Sequence, residues 1–305
     1  MQLRQIIAWF DNDKFRGLGN NAERIEVIRV LPFILLHLAC FGVFFVGFSL
    51  FAFVIAVLMY ALRMFAITGF YHRYFSHKAF KTSRLVQFIF AFIAASAAQR
   101  GPLWWASHHR HHHANSDKPD DSHSPVHGGF FWSHITWFLT NKNFKPKNER
   151  VKDLLRYPEL KFLDRFDVIA PLILAISLYV LGECLEAKVP ELGTNGIQLL
   201  VWGFVISTVF LYHMTFTVNS LAHVWGKRRF NTSDQSRNNP IIAFFTLGEG
   251  WHNNHHHFPS AARQGFYWWE IDFTYYGLKL LSTLGLVWDL RKVPAEVLSS
   301  KRVRR

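Results

Sequence analysis

The run "RVLPFILLHLACFGVFFVGFSLFAFVIAVLMYALRMFAITGFYH", residues 29–72, decides the fold. A helix that spans a bilayer needs about 20 apolar residues. This run is long enough for two, with a break near Gly47–Ser49. It places one spanning helix at roughly 28–47 and a second at roughly 50–71. "VIAPLILAISLYVLGECL" (168–185) reads as a third span and "IQLLVWGFVISTVFLYHMTFTVN" (197–219) as a fourth. Between the second and third lies "LVQFIFAFIAASAAQ" (85–99), which at 15 residues suits a buried or interfacial helix better than a span. The first 27 residues are polar and read as carrying no cleavable signal.

Composition supports a membrane protein. Half of the 305 residues are hydrophobic, and only 18% are charged. Soluble domains average roughly 25% charged. Two cysteines exclude a disulfide framework and a cysteine-based zinc site. The formal net charge is +13. Its distribution sets the orientation: the 186–196 loop carries Lys188 as its one basic residue, while the N-terminal arm and segments 72–167 and 220–305 hold nearly all the rest. By the positive-inside rule those regions, and both termini, face the cytoplasm. The basic tail "KRVRR" and the loop near 142–150 then face anionic lipid. No nucleic-acid motif is present. The expected fold is an all-α integral membrane protein: one domain over 1–305, four transmembrane helices, and a cytoplasmic helical cap carrying a two-metal histidine site.

Four histidine groups fall on the expected cytoplasmic side. They are "HRYFSH" (72–77), "HHRHHH" (108–113), "NSLAH" (219–223) and "HNNHHH" (252–257). On an α-helix, residues three and four apart share a face. His109, His112 and His113 fit that spacing, as do His252, His255 and His256, and Asn219 is four residues before His223. His72 and His77 are five apart, about 140° on an ideal helix, which predicts a helix end or bend between them. Nine imidazoles are too many for one ion and suit two ions with four or five nitrogens each. Imidazole serves iron, zinc, copper and nickel alike. The absence of cysteine from the groups argues against an iron–sulfur cluster, and the lack of a second Glu-x-x-His beside Glu249–His252 against a carboxylate di-iron bundle.

The other histidines have plainer readings. His37 and His213, alone within spans, read as packed or hydrogen-bonded. His108, His111, His123, His127, His134 and His257 read as supporting or surface residues. Trp104, Trp105, Trp132 and Trp137 read as interfacial belts, with a substrate-channel role as the alternative. A metal pair at the ends of spanning helices meets substrate emerging from the bilayer, and an apolar tunnel is the direct route for it. Iron is the metal that activates dioxygen against unactivated C–H bonds. This points to oxidation of a lipid acyl chain. The two electrons come from outside, because no haem-attachment, Rossmann or ferredoxin-like motif is present, and no bound haem or flavin is expected. The basic face would steer an acidic donor.

The order HRYFSH, HHRHHH, NSLAH and "GEGWHNNHHHFP" (248–259), with "GFFWSH" (129–134), resembles the membrane fatty-acyl desaturases of the stearoyl-CoA (delta-9) type over about residues 30–290. "QRGPLWW" (99–105) resembles the bacterial branch, which implies a multi-pass protein of the bacterial cytoplasmic membrane. The resemblance implies two iron ions held by His72, His77, His109, His112, His113, His223, His252, His255 and His256, with Asn219 acting through water. It implies a cis double bond placed in a saturated acyl chain, dioxygen reduced to water, and a tunnel that measures distance from the head group. Tyr60 closes the far end of the tunnel in this reading, and Trp105 lines it. The electron donor is a separate protein of ferredoxin, rubredoxin or cytochrome b5 type. Animal members carry Arg-Asp before the second group, where this chain has Ser107-His108. Acyl-CoA is the default carrier and a phospholipid-bound chain the rival. Competing readings are a related membrane hydroxylase or ketolase, a metal transporter, and a zinc hydrolase using Glu249. The last lacks HExxH context, and a transporter would place its ligands within the spans.

Overall fold

The computed structural model describes residues 10–14, 25 and 27–300. Most of the basic N-terminal arm and the KRVRR tail lie outside the described residues. Among the described residues three helices are long and apolar enough to cross a membrane: α2 (Leu50–Ser76), α7 (Ile169–Lys188) and α8 (Gly196–His223). The first expected span is shorter than anticipated. Helix α1 (Val27–Ala39) contains Pro32, tightens into a 3-10 turn at Cys40–Gly42, and resumes only for Val43–Val46. Its apolar part is Val30–Val46, at the short end of the spanning range of roughly 17–25 residues. Gly47 then takes φ 71°, a left-handed conformation that glycine adopts without strain. Ser49 restarts the chain by capping α2, accepting from the Ala52 amide at 3.3 Å. Phe44 and Phe45, 79% and 86% exposed, point away from the protein, as lipid-facing residues do.

The remaining elements form a helical body at one end of these helices. They are α3 (Arg84–Ala95), α4 (Pro102–Asn115), α5 (Pro125–His134), α6 (Pro158–Arg165), α9 (Pro240–Phe245), α10 (His252–His257) and α11 (Phe273–Thr283). A two-residue antiparallel ladder pairs β1 (Lys81–Thr82) with β2 (Val287–Trp288) and ties the C-terminal segment to the chain just after His77. One core centres on α2 and α3, where Phe70 stacks on Phe90 with ring centroids 4.0 Å apart. A second joins α1, α2, α7 and α8 through Ala52, Leu178, Leu199 and Phe204. Segment 220–305 does not lie wholly beyond the helix ends, as its charge suggested. Tyr60 donates to the Phe245 carbonyl and Thr68 bonds Thr274 at 2.7 Å, so α9 and α11 run alongside α2. Phe244 and Leu280, 61% and 62% exposed, face outward there.

Arg63 was hidden inside the apolar run. Its guanidinium is buried and donates to Thr208 Oγ1 at 2.7 Å, Ser207 Oγ at 2.5 Å, and the carbonyls of Ser96 and Met59 at 3.3 and 3.1 Å. Among the described residues no carboxylate partners it, so hydrogen bonds alone carry the cation and pin α2 to α8 and α3. Replacing Arg63 with Ala strands these acceptors, although Ser207 retains a bond to the Gly203 carbonyl. Stranding a buried polar group costs roughly 1–3 kcal/mol. Arg63→Ala is expected to lower the thermal midpoint of the detergent-solubilised protein, and Arg63→Lys to recover part of the loss.

Candidate metal centre

The helix ends between His72 and His77, at Ser76, as their spacing predicts, but its last turns are wound more loosely than an α-helix. Residues Ala66–Ser76 wind as a π-helix, and the His77 amide bonds the His72 carbonyl five residues back at 3.2 Å. In that winding i and i+5 replace i and i+4 as stacked neighbours. Both rings therefore face the same side, with centroids 4.9 Å apart. Helix α4 begins at Gly101-Pro102. There the Asp164 carboxylate accepts from the Trp104 amide at 2.7 Å, standing in for a local cap. Burial pushes that carboxyl up to about 7. A Cβ on Gly101 would sit 2.3 Å from the Asp164 Cα, so only glycine allows this approach. The chain from α8 tightens into a 3-10 turn, Leu221–His223, which delivers the ninth ring.

The nine rings sort into two groups. His72, His77, His109, His113 and His255 form one, and His112, His223, His252 and His256 the other; within each group one nitrogen from every ring lies within 4.8 Å of the rest. The nitrogens face one another in pairs. In the first group His72–His255 is 3.0 Å, His77–His109 2.8 Å and His113–His255 2.9 Å, all between Nε2 atoms. In the second, His223–His252 is 3.0 Å and His112–His256 3.4 Å. Nitrogens bound to one ion at roughly 2.0–2.1 Å stand about 3 Å apart. The donor set fits a pair of borderline metal ions, with five nitrogens for one and four for the other.

Carboxylates orient the rings from behind, and the sequence reading did not find them. Nδ1 of His112 meets Asp121 at 3.0 Å, Nδ1 of His223 meets Asp117 at 2.9 Å, Nδ1 of His256 meets Asp234 at 2.8 Å, and His72 pairs with Glu249. Glu249, weighed earlier as a hydrolytic base, instead joins His72 to Arg73, whose Nη2 lies 3.0 Å away. Such partners fix the tautomer and leave Nε2 as the ligand atom. Burial opposes ionisation of Asp117, but the bond and charge of His223 outweigh it and hold the carboxyl at about 2. Burial, reinforced by neighbouring imidazoles, holds His77, His109, His113, His252 and His255 well below the ordinary 6.5. His112 is the exception: burial works against its charged form, but Asp121 prevails and raises it.

An apolar cavity of about 520 Å³ runs from α1 and the start of α7 to the first group, lined by Phe33, Leu36, Trp104, Trp137 and Tyr212 among others. Its size is that of a small-molecule site. A second, about 50 Å³, lies between the two groups, against His72, His112 and His252. Trp105, His109, Thr215 and Asn219 line both. Trp104 and Trp137, 7% and 5% exposed, are cavity wall rather than interfacial belt, because their indoles stack on each other 5.6 Å apart. Tyr60 lines neither cavity; its hydroxyl is committed to Phe245, and its ring lies 5.1 Å from that of Phe210. Ser107 and His108 are committed too, Ser107 accepting from the Lys147 amide at 2.9 Å and His108 bonding the Lys145 carbonyl at 3.1 Å. His37 and His213 are hydrogen-bonded, as read: His213 joins His37 and His134, each at 3.2 Å. His123 stacks on His112 at 4.3 Å, and His111 bonds the Asp120 carbonyl at 2.8 Å.

The family model described as fatty acid desaturase matches residues 48–279, which contain all nine of these histidines. The chain belongs to the fatty acid desaturase family. A chloroplastic palmitoyl-monogalactosyldiacylglycerol delta-7 desaturase of Arabidopsis thaliana is 39% identical to this desaturase over 75% of this chain and 59% of its own length. The acyl-CoA 5-desaturase AL21 of Anemone leveillei is 39% identical over 86% of this chain and 78% of its own. The sn-2 palmitoyl-lipid 9-desaturase of Nostoc sp. (strain 36) is 35% identical over 87% and 90%.

The depressed imidazoles give the metal-free desaturase a definite pH response. A group whose pKa is lower folded than unfolded binds its proton more readily in the unfolded chain, so acid favours unfolding. The loss begins below 6.5, the unfolded value, and deepens towards the folded values, which for His256 means about 4. With chelator present, the thermal midpoint in detergent is expected to fall steadily as pH drops through this window. A flat profile contradicts the burial argument.

Proposed function

We propose that this desaturase removes two hydrogens from a saturated fatty acyl chain to give a cis double bond, at position nine, at a pair of iron ions. The observation that carries the reading is the convergence of nine imidazoles into groups of five and four around a small pocket that shares four lining residues with an apolar cavity of about 520 Å³. His72, His77, His109, His113 and His255 would hold one ion; His112, His223, His252 and His256 the other, with Asn219 beside it through water. Bound there, the iron pair supplies activation of dioxygen for attack on unactivated C–H bonds. The residues of the chain do the rest. Phe33, Leu36, Trp104 and Tyr212 bind the acyl chain and exclude water. Trp105 and Thr215 orient it where the two cavities meet. The carboxylates of Asp117, Asp121, Asp234 and Glu249 hold the Nδ1 protons, so that each Nε2 stays free.

Position nine is supported by the Nostoc relative, whose alignment spans both chains nearly end to end. Acyl-CoA is the proposed carrier, with a lipid-bound chain as its rival; the names of the relatives include both. The electrons come from a separate acidic donor of ferredoxin, rubredoxin or cytochrome b5 type, steered by the basic face. The placement proposed is a bacterial cytoplasmic membrane with both termini inside, supported by the 186–196 loop with its single Lys188.

The test is the fatty-acid profile of a desaturase-deficient host that supplies a compatible donor and expresses this chain or its His112→Ala form. A new cis-monounsaturated acid, absent with His112→Ala, is expected, and mass spectrometry locates the bond. Hydroxylated or oxo products overturn desaturation.

A further inference from the structure

Resting on the iron-pair reading, we infer that the two metal positions are electrically unequal. Asp117, Asp121 and Asp234 bias the four-histidine position towards the more highly charged ion, so the five-histidine position takes the first electron. These carboxylates are positioning residues: each acts through the imidazole it touches.

The asymmetry is in the partners. Three of the four rings in the smaller group carry a buried carboxylate on Nδ1. None of these carboxylates meets a cation of Lys or Arg among the described residues. Asp117 otherwise accepts from Ser124 Oγ at 2.6 Å and the Gln235 amide at 2.7 Å. Asp121 accepts from the amides of Asp117 and His123 at 2.9 and 3.2 Å. Asp234 accepts from the Ser236 amide at 3.0 Å. Their partners beyond the imidazole are thus neutral N–H and O–H groups. In the larger group, among the described residues, one ring of five carries a carboxylate, Glu249; Arg73 pairs with it at 3.0 Å while also pairing with Asp272 at 3.0 Å, so one net negative charge stands behind this group against three behind the other. Among the described residues the Nδ1 of His255 is buried without a partner, and so is that of His252, the fourth ring of the smaller group, so the asymmetry rests on the carboxylates. Arg110 adds further positive potential at His77, although Asp153 at 2.7 Å partly offsets it.

Two consequences follow. A carboxylate behind an imidazole raises the basicity of the ligand nitrogen. Three unneutralised negative charges in a dry interior also favour each added unit of metal charge far more than they would in water. Both effects act on the same ion. Going from the ferric to the ferrous state removes one positive charge, and that loss is less favourable beside the three aspartates. Each reduction adds one electron to one ion and breaks no bond, so the order of reduction reads the asymmetry directly.

The experiment uses the full-length protein in detergent, loaded with ⁵⁷Fe and reduced stepwise under anaerobic conditions, with Mössbauer spectra at each step. Asp234→Asn keeps an oxygen to accept from His256 Nδ1 but removes the charge. It is expected to shift the parameters of one of two quadrupole doublets, and that doublet is the last to become ferrous in the unsubstituted protein. In the variant its midpoint potential moves upward. Asp121→Asn is expected to act on the same doublet, which keeps the test alive if one variant fails to fold, and Glu249→Gln on the other. The inference is overturned if the doublet moved by Asp234→Asn is the first reduced, or if both ions reduce together. Fewer than two irons per folded chain overturns the iron-pair reading as well.

Discussion

The constraint on which this fold depends is the meeting of imidazole lone pairs. Two neutral rings that face each other through Nε2 offer one hydrogen bond at most, and four of the nine rings have Nδ1 already committed to a carboxylate. The arrangement is strained as a hydrogen-bond network and satisfied as a ligand set. Most local peculiarities of the chain serve it. The π-winding of Ala66–Ser76 brings His72 and His77 onto one face, and the 3-10 turn at Leu221–His223 turns the ninth ring inward. The short helix His252–His257 supplies three more.

Holding these pieces together takes polar contacts, because the rings themselves attract nothing until a cation arrives. Arg73, one residue after His72, is fully buried and bonds Glu249, Asp272 and the Ala262 carbonyl. Asp272 in turn caps α11 through the Tyr275 amide at 2.9 Å and accepts from the Gln264 amide at 2.7 Å. One cation thus joins the π-helix, the segment before α10 and the start of α11. The two asparagines of HNNHHH act similarly. Asn253 accepts from the amides of Arg229 and Phe230 at 2.8 and 2.7 Å, and Asn254 donates to Glu270 at 2.9 Å. Removing one member of such a buried network costs more than the bond itself, because the remaining partners stay dehydrated.

The sequence showed what periodicity and composition encode. Runs of apolar residues marked α2, α7 and α8 to within a few residues, because a lipid-facing helix has few alternatives. The i, i+3, i+4 spacing suggested that each triple on α4 and α10 aims at one point, but the structure divides both: His112 parts from His109 and His113, and His255 from His252 and His256. What it missed depends on partners distant along the chain. Asp117 and Asp234 look like loop acids; only the fold sets them against His223 and His256, 106 and 22 residues away. The helix end expected between His72 and His77 is there, but nothing local announces the π-winding that sets both rings on one side. Trp104 and Trp137 were misread because an indole suits an interface and a cavity wall equally. A signal was present in the acids of "SDKPDDSH" (116–123), which follow a histidine group directly. Read as second partners for imidazole, they would have been found.

For the proposed acyl substrate, the geometry would let an apolar chain be measured without a flexible loop. The four residues shared by the two cavities are Trp105 and His109 on α4, and Thr215 and Asn219 on α8. Each pair is four residues apart, one helical turn or about 6 Å of rise. Thr215 is held by Gln99, which donates to it at 2.6 Å, and Trp105 lies nearly parallel to His109 with centroids 5.1 Å apart. The passage is therefore framed by two rigid helices on facing sides. The separation between the cavity and the imidazoles follows from helical rise and from the packing of α4 and α8. Sites built on helices hold their geometry better than sites built on loops. A reaction that must select one carbon among many equivalent methylenes has no functional group to recognise, so fixed distance is the selectivity available to it.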